Sequence, residues 1–329
     1  MAIIEGNLVR CQSAADVLDF FPMASRPRIV VEPGTYSFSN DTVQLLSGKH
    51  ITFEGDVVFD DCVFKTETLV NTDYYDEYDV SSVTESGGVF TRSGGVGAWA
   101  AAAGWMLHVR DAWYSRSASD GTTFTAVETV VAAGLGSAQK YVLCSPTTHL
   151  YIEGSVKMTN HPAEIPLQLF GLADCNLGNW RVSIWPDADT SDLNLALFSH
   201  CAKTRFPAVD AAHHTFAGGT TNPRGPFQIQ YCQMCEAERW FAGNMASDEA
   251  TAGDLVGVYM TYCQDTKVHA NIGGLDRSAG TGDAVGFSMD NCLSCQADGQ
   301  VSELASTGGS AVDWKDASGT SNNFNILWR

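Results

Sequence analysis

FQIQYCQMCEAERWFAG (residues 227–243) opens on a strand-like run, reaches a cysteine and closes on a second strand-like run. Four other stretches follow the same plan: QLFGLADCNLGNWRVSI (168–184), LALFSHCAKTRFPAV (195–209), VGVYMTYCQDTKVHANI (256–272) and VGFSMDNCLSCQADGQV (285–301). Aligned on Cys175, Cys201, Cys235, Cys263 and Cys295, successive copies lie 26, 34, 28 and 32 residues apart. A self-similar unit of about 30 residues marks a solenoid or a propeller. A propeller blade needs about 40–45 residues, and a leucine-rich repeat needs a leucine ladder that these copies do not carry. Short strands joined by turns rich in Gly, Ser, Thr and Asp fit one coil of a single-stranded right-handed parallel β-helix. Coils would then stack at the strand spacing of about 4.8 Å.

Composition agrees with many short strands. The 329 residues are 44% hydrophobic and 17% charged, with 31 glycines, which excludes a disordered chain. The longest apolar run, VGAWAAAAGWML (96–107), is too short for a membrane-spanning helix. The start, MAIIEGNLVRCQ, has no basic region followed by an apolar core, so no export signal is read there. Ten cysteines spread over the repeats suit free thiols in a core made in a reducing cytoplasm. A formal charge of −19 argues against nucleic acid and against a membrane surface as partners.

Outward from the repeats, Ser13 stands as the N-cap of a short amphipathic helix over 13–21, stopped by Pro22. RIVVEPGTYSF (28–38) reads as strand, Pro33-Gly34 turn and strand. KHITFEGDVVFDDCVF (49–64) adds two strands, and THLYIEGSVKM (148–158) resembles its first part, with Glu153-Gly154 matching Glu54-Gly55 and Val156 matching Val57. The chain therefore divides into a first segment with cap helix and coils (1–65), an insertion or side sheet (66–145), repeats (146–313) and a C-terminal cap or subunit-contact tail (314–329). Within the insertion, Asp120-Gly121 signals a hairpin.

The helix, the PGTY turn and KHITFEGDVVFDDCVF together resemble the start of pectate-lyase-like β-helix proteins, most of all bacteriophage tailspikes and virion surface proteins. The resemblance spans about 13–64 and 148–313. It implies a homotrimer on a virion, made in the host cytoplasm, with other virion proteins and a host surface glycan as partners.

Candidate chemistry is sparse. Cys232-x-x-Cys235 and Cys292-x-x-Cys295 sit two repeats apart, about 10 Å in a stacked helix, whereas zinc needs sulfur at about 2.3 Å. No metal and no cofactor are expected. Four positions after the aligned cysteines come Arg205, Arg239 and Lys267, either a basic strip for an acidic sugar or phosphate or cations paired across coils with Glu236, Glu238 and Asp265. Trp180, Phe206 and Trp240 form the next column, so one column faces in and the other out. Glycan cleavage needs paired carboxylates, or a base with a charge-neutralising partner; the candidates are Glu236 with Glu238, Asp210 with His213 and His214, and Asp187, Asp189 and Asp192. The tyrosines of DYYDEYD, Tyr74, Tyr75 and Tyr78, could stack on sugars. The catalytic motifs of pectate lyases and polygalacturonases are missing from the sequence. The leading expectation is a tailspike-type protein that binds, and in one version degrades, host polysaccharide. The alternatives are a structural decoration or cement protein, and a free polysaccharide lyase, hydrolase or epimerase.

Overall fold

Each repeat turns twice, three residues apart, and the residue at each turn has left-handed backbone. In the computed structural model the first turns fall at Gly171, His200, Tyr231, Tyr262 and Asn291, with φ between 51° and 62°. The second fall at Asp174, Lys203, Met234, Asp265 and Ser294, with φ between 49° and 55°. Residues 2–66, 82–93, 104–109, 111–119, 123–128, 141–160, 164–185, 190–191, 194–216, 223–247, 253–317 and 322–328 are described. A non-glycine residue in this region costs about 1–2 kcal/mol. Stacking offsets that cost, because the corner N–H groups of the first four repeats, Gly171 to Asp265, donate to the next coil: Tyr231 to the Thr261 carbonyl at 3.0 Å, and Met234 to that of Gln264 at 3.0 Å.

The residue after each corner points inward. Its column reads Leu172, Cys201, Cys232, Cys263, Cys292 at the first corner and Cys175, Thr204, Cys235, Thr266, Cys295 at the second. All are buried. Each thiol or hydroxyl donates to the carbonyl two residues back, as in Cys232 to Gln230 at 3.2 Å and Thr266 to Gln264 at 3.1 Å. This corrects the alignment on single cysteines, which stepped alternately between two columns. The bridges Ala202 to Gln233 and Gln233 to Gln264 fix the true register. The coil length is a steady 29 to 31 residues, and threonine replaces cysteine at two second corners.

Between corners, parallel ladders stack the strands. Tyr36, Phe59, Met158, Ile184, Ala211, Ala242, Ile272 and Val301 form one continuous inward column. Leu169, Phe198, Ile229, Met260 and Met289 form another. Nearly all are under 3% exposed, and each such burial contributes about 1.5–3 kcal/mol for the larger side chains. Trp240 fills the space beside these side chains, its ring stacked on Phe198 at 4.9 Å and within 5.0 Å of Phe227. Trp180, Phe206 and Trp240 thus face inward. The ladders run on through Ala311–Asp316 and Asn323–Trp328. No helix among the described residues is long and apolar enough to cross a membrane.

At the other end, Ser13 caps the helix Ala14–Phe20, its hydroxyl accepting from the Asp16 N–H at 3.2 Å. Val17 and Phe21 enter the core. Buried Lys49 holds the helix exit by donating to the carbonyls of Phe20, Met23 and Arg26. The strand Tyr151–Thr159 pairs with His50–Thr66 as its sequence likeness implies from Val156 onward, where Val156 meets Val57. Before that the register slips by two: Gly154 lies opposite Phe53 instead of Gly55. A Cβ on Gly154 would stand 2.2 Å from the Phe53 carbonyl oxygen, so only glycine fits this close approach.

Between these two strands, Ser82–Ser86, Val89–Ser93, Met106–Val109, Ala112–Ser119, Thr123–Ala126 and Tyr141–Cys144 form a six-stranded antiparallel sheet. The pair Ala112–Ser119 and Thr123–Ala126 is the hairpin expected around Asp120-Gly121, whose turn residues lie outside the described set. Its core of Val83, Phe90, Leu107, Phe124 and Leu143 includes Tyr231 from a coil corner. Outside the coils, the rings of His200, Tyr231 and Tyr262 stack at 4.9 and 5.2 Å. His108 Nδ1 lies 2.6 Å from Gln233 Oε1, fastening the sheet between two corners.

Two expectations follow. Cys235→Thr should keep stability within about 1 kcal/mol, since Thr204 and Thr266 already fill that column, whereas Cys235→Leu should lose about 1–3 kcal/mol by overpacking; urea unfolding measures both. Burial pushes His108 down to about 4 and His200 down to about 3. Unfolded histidine takes its proton near 6.5, so between pH 6.5 and 4 the unfolded chain binds more protons and stability falls as pH falls. The urea midpoint should drop across that window, and His108→Gln should flatten part of the slope.

Candidate functional site

Where the strand Glu236–Ser247 meets Lys267–Arg277, the ladder pairs Ala237 with Val268 and then Trp240 with Ala270. Glu238 and Arg239 thus stand opposite the single residue His269, which is a β-bulge. Arg239 takes the left-handed conformation there, with φ 57°. Side chains alternate along a strand, so the outward face carries three columns. Nearest the corner run Asn176, Arg205, Glu236, Lys267 and Gln296. Past the bulge run His269, Asp298 and Asn325. The third is Asp210, Phe241, Asn271, Gln300 and Leu327.

Three hollows follow one another over this face. The largest, about 540 Å³, is lined by residues that include Gly178, Arg181, Asp210, Arg239, Phe241, His269 and Asn271. The second, about 320 Å³, lies among Glu236, Glu238, Arg239, Lys267, His269 and Asp298. The third, about 370 Å³, lies among His269, Asn271, Asp298, Gln300, Asn325 and Leu327. His269 borders all three, and Phe241 is 44% exposed.

Their electrostatics are local pairs. Arg181 clamps the mostly covered Asp210 carboxylate through Nε at 2.6 Å and Nη2 at 2.5 Å. Arg205 pairs with Glu238. Arg239 donates through Nη2 to the Gly178 carbonyl at 2.6 Å. Gly178 passes beneath Arg205, where a Cβ would stand 2.9 Å from Cδ and Nε. Asp298 accepts from Gln296 Nε2 at 2.7 Å through Oδ2, while Oδ1 is shielded from solvent with no hydrogen-bond partner. Among the described residues, no group of three or more His, Cys, Asp or Glu side chains is arranged to hold a metal ion.

The expected basic strip changes form. In the true register Glu236 separates Arg205 from Lys267, and Arg239 sits on the bulge instead of in their column. Asp210 and Arg239 border the first hollow; Glu236, Glu238, Arg239 and Lys267 border the second. Arg205 lines none of the three, and neither does His213, which occupies a left-handed strand bend with φ 60° in line with Asn244, Gly274 and Glu303. Asp210 and His213 are therefore not brought together at a hollow. Tyr74, Tyr75, Tyr78, Asp187, Asp189 and Asp192 lie outside the described residues. Arg181, Phe241, His269, Asn271 and Asp298 were missed from sequence. Their signal was the paired corner spelled HCAKT, YCQMC, YCQDT and NCLSC, which sets the register once threonine is read as equivalent to cysteine.

The strained backbone under Arg239 yields an expectation for stability. Arg239→Gly removes the left-handed penalty of about 1–2 kcal/mol and adds a glycine entropy cost of about 0.5–1 kcal/mol. Loss of the bond to the Gly178 carbonyl costs about 0.5–1.5 kcal/mol more, so thermal unfolding should place the variant within about 1 kcal/mol of the parent.

No family model matches the chain, and no curated protein matches it. Among solved structures it is similar to the tailspike of Acinetobacter baumannii bacteriophage AP22 in complex with A. baumannii capsular saccharide, at 8% identity and a TM-score of 0.27. That match covers 91% of this chain and 63% of the AP22 chain, so this chain spans less than two thirds of it. The tailspike of Pseudomonas phage phi297 is similar at 11% identity and a TM-score of 0.31, covering 95% of this chain and 73% of that one. The tailspike of Pseudomonas phage LKA1 gives 10% identity and 0.27, with the same 95% and 73%. At these values the parallel β-helix rests on the chain's own ladders and corners.

Proposed function

We propose that the flank of this β-helix binds a bacterial surface polysaccharide, and that the chain is a virion protein of tailspike type, working as a homotrimer with other virion proteins. One observation carries the reading: three contiguous hollows cross successive coils on a face that exposes one aromatic ring, Phe241, and one leucine, Leu327, among hydrogen-bonding groups. A sugar presents an apolar face and a rim of hydroxyls. Phe241 offers a surface for the first, while Asn271, Gln300 and Asn325 offer donors and acceptors for the second. A long groove built from repeated coils suits a polymer better than a compact metabolite.

A second reading, cleavage of the bound chain, is favoured by Asp298. Its Oδ1 is shielded and unpartnered beside His269 in the adjoining rung, an arrangement open to a sugar hydroxyl or a proton in transit. Glu236, Glu238 and Asp210 are the other carboxylates at hand.

Binding is tested by surface plasmon resonance with a panel of purified bacterial capsular and lipopolysaccharide glycans. At least one should bind, and Phe241→Ala should weaken it roughly 3- to 10-fold, the scale of one aromatic contact. Reducing ends or unsaturated products over time would establish cleavage. Absence of binding across the panel, together with binding to assembled capsids or tails, would replace this reading with a structural virion component.

A further inference from the structure

We infer that the polysaccharide is acidic and that a sugar carboxylate is received in the first hollow by Arg239. This rests on the saccharide reading above and adds the chemical class of the ligand. The chain carries 38 acidic and 19 basic residues, so a hollow in which cations outnumber carboxylates runs against its overall charge. The first hollow contains two guanidinium groups, Arg181 and Arg239, against one carboxylate, Asp210. Arg181 is committed to Asp210. Among the described residues Arg239 has no carboxylate within ion-pair distance; its bond is to a backbone carbonyl.

That bond is informative. The Gly178 carbonyl accepts from Nη2 and orients the guanidinium, while carrying no charge to neutralise it. The remaining donors keep the planar fork that matches a carboxylate with two parallel hydrogen bonds. The backbone supplies an independent sign. Arg239 borders the hollow from a bulge and with left-handed backbone, and strained residues of this kind cluster at functional sites. Phe241, two residues on, borders the same hollow, so the ring of an acidic sugar can rest on the phenyl while its carboxylate meets the arginine.

Geometry also explains how a polymer of negative charge approaches a protein of charge −19. Repulsion between exposed charges is screened beyond about 10 Å at 0.1 M salt, leaving the short-range contact to decide. The second hollow is the less suitable anion site, because Glu236, Glu238 and Asp298 outnumber Arg239 and Lys267 there.

The test compares uronate-containing capsular polysaccharides, each beside its own carboxyl-reduced derivative, in 0.1 M salt. The parent protein should bind the native polymer about 10- to 100-fold more tightly than the reduced one, the range of a charge-assisted bond. Arg239→Gln should bring native polymer down to the reduced level and leave affinity for the reduced polymer unchanged. Arg239→Lys should recover part of the loss. Melting curves of both variants check that they fold. Equal binding of native and reduced polymers, or an Arg239→Gln loss of equal size for both, would overturn the acidic assignment and leave saccharide binding standing. If neither form of any polymer binds, both readings fall.

Discussion

The corner governs this structure. Two left-handed residues three apart turn each coil, and their backbone N–H groups reach the carbonyls of the coil above. An isolated chain would avoid such a conformation at tyrosine, methionine or histidine. The stack offsets its cost by giving the corner donors from Gly171 to Asp265 a partner in the next coil. A small side chain with one donor then closes the inner angle by bonding two residues back. Cysteine and threonine both meet that need, which explains seven of the ten buried free cysteines. All other ladders inherit their register from these turns.

Architecture was legible because it is repeated. Strand-sized apolar runs, turn residues and a period near 30 point to stacked coils, and the N-cap at Ser13 and the likeness of 148–158 to 49–59 place the first coils. Register was less legible. Thr204 and Thr266 stand where a cysteine was sought, so aligning on sulfur displaced alternate copies by three residues. An error of that size leaves the fold assignment intact and scrambles the outward columns. It produced a line of three cations in place of Arg205, Glu236 and Lys267 in order.

The candidate site was only partly legible, for a different reason. The bulge at Glu238 and Arg239 marks the step at which this stretch shortens by one residue, from Glu236 to Phe241 in one coil to Lys267 to Asn271 in the next, and only the register shows it. Asp210, Glu236, Glu238, Arg239 and Lys267 were reached through their chemistry. Phe241, Asn271 and Asp298 looked like ordinary strand residues until three-dimensional stacking set them side by side. Their importance comes from a column, and a column is invisible until the coil length is known to the residue.

The aromatic stack on the outer corners has a consequence for the order of assembly. Tyr231 belongs to the core of a sheet whose strands are all complete by Cys144. During synthesis that sheet must wait, its apolar face uncovered, until coils far downstream have been made and wound. Contacts so distant in sequence form late, and exposed strands are vulnerable in the interval. The helix core can lengthen coil by coil from its N-terminal cap, while the sheet beside it closes only when the tyrosine corners arrive. Completion of the sheet's core at the side of the column therefore depends on coils made well after its own strands.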